Sequence, residues 1–175
     1  MNDAEELRRG NRNLTPANEP PLLGLWHLAL WIEDAKFDAT CRFYIEGMGM
    51  RVVWRPDSDN VYLSSGSDNL ALHRRSKSTE GQDQRPSTES EQSSLDHLGF
   101  LIPEAIDVQS WHDRLELRSE ALQCTIVAPV RLHRDGATSC YVIDPAGNKV
   151  QIVHIPKITI PGCDPANPEG TKRSN

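Results

Sequence analysis

The feature that most restricts this chain is an internal repeat. The segment HLALWIEDA beginning at His27 recurs as HLGFLIPEA from His97, a shift of seventy residues. Both read as a strand by alternation and by bulky apolar content. Behind each strand comes a helical pattern. Phe37, Cys41, Tyr44, Ile45 and Met48 share one helical stripe that Gly47 or Gly49 can end, and Val108, Trp111 and Leu115 form another with Asp107 as its N-cap. Three short strands then follow in each half: MRVVWR, NVYLSS and NLALHR in the first, CTIVAPV, TSCYVI and KVQIVHI in the second. The expected fold is therefore α+β, two βαβββ modules in which each unit buries a face against its copy.

A four-stranded sheet covered by a helix on one face leaves its other face free. If the two free faces curl toward each other, their curved sheets enclose a ligand trough. Side chains alternate along a strand, so parity sorts the residues. Leu28, Leu30 and Ile32 face the helix while His27 and Trp31 face the trough; Leu98, Phe100 and Ile102 pack down while His97 faces in. By the same rule His73 and Gln151 point inward, and Trp31 and Tyr141 line the substrate space. His154 falls on the face opposite Gln151, His112 on the polar side of the second helix, and His133 in a turn region. Asp144 reads as the cap of the turn DPAGN, in which Gly147 takes the left-handed position.

Composition sets the limits of the folded part. The expected domain runs over residues 21–160, with a first module at 21–73, a flexible linker at 74–94 and a second module at 95–160. The segment 74–94 holds no aliphatic or aromatic residue, and the tails 1–20 and 161–175 are similarly polar, too poor in apolar surface to offset the entropy of ordering. A net charge of -6 argues against nucleic acid as a partner. No apolar run has the length of a membrane span and no signal peptide is evident. Cys41, Cys124, Cys140 and Cys163 lie far apart without a C-x-x-C pair, the pattern of reduced structural thiols, so the expected location is cytoplasmic.

Between residues 22 and 155 the sequence resembles the vicinal-oxygen-chelate superfamily, the glyoxalase/bleomycin-resistance/dioxygenase group. The likeness rests on the HLAL and DHLGF strands, on YVIDPAGNKVQIV, which is similar to that family's tyrosine–DPDGN–glutamate ending, and on the repeat itself. The resemblance implies up to four metal ligands from first and last strands of the modules, here His27, His73, His97 and Gln151. It implies a divalent metal ion (Zn, Fe, Ni or Mn) and a small oxygen-rich organic substrate chelated there by a lyase, isomerase or dioxygenase.

The chain departs from the pattern at Gln151, where metal-binding members resemble one another in using glutamate. An amide neither neutralises a cation nor takes a proton near neutral pH, so an isomerase of the glyoxalase I style is disfavoured. Three imidazoles and an amide still form a candidate site, with His73 or a metal-bound hydroxide moving the proton. Here His73 is the candidate catalytic residue. The alternative is a metal-free binding protein that sequesters a small molecule, like the bleomycin-resistance members. A homodimer is compatible with either, since some relatives build each trough from two chains.

Overall fold

Eight strands and two helical layers follow each other in the expected order. The structure, a computed structural model, describes residues 25–75, 95–134 and 136–156. The first module contains β1 (His27–Glu33), α1 (Asp34–Arg42), β2 (Arg51–Trp54), β3 (Asn60–Ser64) and β4 (Asn69–Arg75). The second contains β5 (Leu98–Leu101), α2 (Asp107–Leu117), the short α3 (Ser119–Leu122), β6 (Thr125–Leu132), β7 (Thr138–Ile143) and β8 (Lys149–His154). Each module makes its own four-stranded mixed sheet, ordered β1-β4-β3-β2 and β5-β8-β7-β6, and the eight strands do not close into a barrel. The order is identical in both halves, with the first and last strands of each module parallel. These elements form one compact unit, Trp26–His154.

Alternation holds as read. Leu30, Ile32, Leu70, Leu72, Leu98, Val150 and Ile152 are buried on the helix side, and one hydrophobic core takes residues from both modules. The modules are joined on that side. The Tyr44 hydroxyl donates to Asp144 Oδ2 at 2.9 Å, its ring lies 6.3 Å from Phe100, and Arg114 and Arg118 donate to the Glu46 carbonyl at 3.2 and 2.8 Å. Because the shared core lies behind both sheets, the two open faces look away from it into solvent. Trp31 is 48% exposed, Trp54 58% and Leu101 61%.

Four details differ from expectation. α1 widens into a π-helical turn, Phe43–Gly47, before it ends at Gly47 as expected, and the chain leaves it through Gly49 at φ +74°. Asp107 is the first helical residue rather than a capping side chain; its N–H is satisfied by the Glu104 carbonyl. His112 is buried, not on a polar face, because it stands one turn after Val108 and one before Leu115 on the packed stripe; Asp113 Oδ1, at 3.1 Å, meets its Nδ1. β4 runs on to Arg75, two residues into the segment assigned to the linker. Arg74 is held there by Asp34, Asp38 and Asp59 at 2.6, 3.0 and 3.2 Å and lies 4.2 Å over the Phe37 ring. The tails 1–20 and 161–175, the linker from residue 76 onward, the outer ends of both modules and Cys163 lie outside the described residues. Cys41, Cys124 and Cys140 are buried free thiols, and among the described residues no helix is long and apolar enough to cross a membrane.

Candidate ligand site

The open face of the first sheet is a field of rings. His27, Trp31, Tyr62 and His73 all project from it, as parity requires, and the bulge between Val52 and Trp54 turns Trp54 onto the same face opposite Tyr62. The Trp54 and Tyr62 centroids are 4.8 Å apart, Tyr62 and His73 5.8 Å, and Trp31 and His73 5.3 Å. Each imidazole is fixed by a side-chain oxygen at Nδ1: His27 by Asn69, His73 by Asn60. An amide oxygen can only accept, so Nδ1 carries a proton in both rings. Burial, followed by the neighbouring His27, holds the His73 pKa below the usual imidazole range, so this ring is neutral at pH 7.

The open face of the second sheet is polar. Gln151 sits opposite Tyr141 and beside Gly99. Its Nε2 donates to the Tyr141 hydroxyl at 2.8 Å and to Ser139 Oγ at 3.1 Å. Ser139, fully buried, also meets His133 Nε2 at 2.7 Å. The His97 ring stands edge-on to Tyr141 at 5.6 Å, and Asp96 binds both His97 Nδ1 and, at 2.8 Å, Lys149 Nζ. Asp96 is held below the ordinary carboxylate range by hydrogen bonds from Lys149 and His97. Ser139 and His133 back Gln151 on this face; the sequence reading sets His133 in a turn region and does not single out Ser139. Ser139 could have been found by parity with Tyr141, while His133 is far from any predicted strand face.

Register sets the expected ligands at different rungs. In the second module Gly99 pairs with Gln151 and Leu101 with Val153. Carried back seventy residues, Gly99 becomes Ala29, whose partner is Ala71, and Leu101 becomes Trp31, whose partner is His73. The first-module counterpart of Gln151 is therefore Ala71. His73 shares the face but lies two residues, about 7 Å, further along the strand. His27 and His97 do occupy equivalent places, on separate outward-looking sheets. Among the described residues, the one group of three His, Cys, Asp or Glu side chains with ligand atoms within 4.8 Å of one another is His112, Asp113 and Glu116 on α2; the expected trio of imidazoles is not gathered.

A divalent metal of the kind the fold implies does not fit what remains. Two imidazoles and one amide oxygen offer no negative charge, and a methyl group stands where a second anionic ligand would be.

Comparison with known proteins agrees with the architecture. A family described as Glyoxalase/Bleomycin resistance protein/Dioxygenase superfamily matches residues 24–152. Among solved structures the chain is similar to a lactoylglutathione lyase from Agrobacterium tumefaciens, at 25% identity over 78% of this chain and 96% of that one, with a TM-score of 0.57. A glyoxalase-related enzyme from Fulvimarina pelagi matches at 21% identity over 77% and 90%, with a TM-score of 0.55. A glyoxalase/bleomycin resistance protein/dioxygenase from Nocardioides matches at 16% identity over 93% and 97%, with a TM-score of 0.58. A search of curated proteins found no match. Repeat, paired sheets of one strand order and a matched span covering most of the sequence lead to one assignment: the chain belongs to the glyoxalase/bleomycin resistance protein/dioxygenase superfamily.

Proposed function

We propose that this protein binds a small planar organic molecule between the ringed face of one module and the amide-bearing face of another, without the family's metal. The register supports this reading, because Ala71 is the repeat counterpart of Gln151 and His73 lies two residues further along. Loss of anionic donors weakens cation binding, whereas Trp31, Trp54 and Tyr62 gain by stacking on a flat ligand. Since both faces look outward from the shared core, a second copy of the chain is the natural partner to complete the trough.

The test is twofold. Protein purified without chelator should hold well under about a tenth of an equivalent of Zn, Fe, Ni or Mn. Planar aromatic compounds should quench tryptophan fluorescence, and the quenching should fall on changing Trp54→Ala. Close to one metal ion per chain would overturn the metal-free reading.

A second reading, an enzyme acting on the same bound molecule, is favoured by His73, whose neutral ring keeps Nε2 free to accept a proton. Chemical change of a bound ligand that disappears in His73→Gln, with binding retained, would establish it.

A further inference from the structure

We propose that Gln151 and Tyr141 form a recognition pair for a neutral carboxamide or lactam edge on the bound molecule. This rests on the binding reading above and names the chemistry its polar end selects. Both amide hydrogens of Gln151 are spent, on Tyr141 and Ser139. A hydroxyl that accepts still has its own hydrogen to give, so Tyr141 presents a donor. Gln151 Oε1 presents an acceptor beside it.

Nothing larger than glycine stands beside that oxygen on the neighbouring strand. Its strand neighbour is Gly99, and a Cβ at that position would sit 3.4 Å from Oε1. Glycine thus leaves open the approach that any other residue would narrow. The amide is also held in place from behind, since Ser139 is fully buried and braced by His133. A donor and an acceptor side by side, both rigid, match a group that offers an acceptor and a donor side by side. A carboxamide or lactam does; an ionised carboxylate, with acceptors only, meets Oε1 with repulsion.

Two of the charges on this face are already paired. The Lys149 ammonium is 2.8 Å from Asp96, and the same carboxylate takes His97 Nδ1. Arg131, across from Ser139 on β6, is exposed on this face too, where solvent screens its charge.

A matched pair of probes tests this: 2-naphthamide and 2-naphthoate, which share a ring and differ in head group, titrated calorimetrically into the full chain. The wild type should bind the amide at least about tenfold more tightly, the scale expected when a site built for hydrogen bonding meets a ligand that cannot complete it. Gln151→Leu should erase the difference. Tyr141→Phe, which keeps the ring and so guards against loss of the fold, should weaken the amide severalfold. Equal binding, or tighter naphthoate, overturns the recognition pair while leaving the metal-free trough standing. Failure of both probes to bind overturns the trough reading and this inference with it.

Discussion

Tyr44 and Asp144 stand a hundred residues apart, and both are buried. Asp144 accepts from the Asn148 N–H at 2.8 Å and its Nδ2 at 2.9 Å, which makes it the turn cap that sequence foresaw. Its third donor, the Tyr44 hydroxyl, was not legible, because sequence spacing reveals local partners and not ones that meet through the core. Tyr44→Phe removes that donor and leaves the buried Asp144 Oδ2 with the Asn148 amide alone, at a cost of about 1–3 kcal/mol. Urea melts of the two proteins should differ by that amount with equal slopes. A pH effect belongs to the same scale. Burial, then Asp144, raises the Tyr44 pKa above its usual value, and burial raises Cys41, Cys124 and Cys140, the last to about 11. Folding therefore keeps protons that the unfolded chain loses first at alkaline pH. Stability from these groups is complete below the ordinary thiol range and is lost as pH rises from there toward 11. The melting temperature should drop between pH 8.5 and 10.5, and less so in Cys140→Ala compared with its own neutral-pH value; a flat profile in the wild type would contradict the burial of these thiols.

At the level of elements, Gly47 explains why the first helix ends as a π turn against the second module. A Cβ there would come within 3.0 Å of Leu122 Cδ1, a side chain that is itself buried in α3. The wider turn and the missing side chain together let α3 pack onto the end of the helix. Gly47→Ala should cost about 1–3 kcal/mol through overpacking, and Leu122→Ala in the same chain should return part of it, a coupling that a double-mutant cycle measures. Strand faces were readable from sequence because the side-chain period is two. Register was not, because alternation fixes which side a residue is on and not how far along it lies. His73 is the consequence: right face, wrong rung. β6 shows a similar limit. It carries Pro129 and two register shifts, which an edge strand tolerates.

For the whole molecule, the repeat announced two modules, but which faces of them would meet depended on packing that no local pattern encodes. The helix sides share the core, so Trp31 on β1 and its repeat-mate Leu101 on β5 are left 48% and 61% exposed. Apolar exposure of that kind on two equivalent strands suits an isologous pair, in which the first module of one chain meets the second module of its twofold mate and the reverse contact forms at the other end. Such a pairing would bring the ring field of Trp31, Trp54 and Tyr62 over Gln151 and Tyr141, giving two troughs per dimer. Sedimentation should then report twice the 19.6 kDa chain mass, and Leu101→Glu, which places a charge in the joint, should return the monomer. The same variant carries the sharper consequence. Because Gln151 and Tyr141 stay untouched on their own sheet, a monomer that still binds as tightly as the wild type would show that one module suffices, whereas binding that vanishes with the dimer and reappears at high protein concentration would tie the ligand to both faces at once.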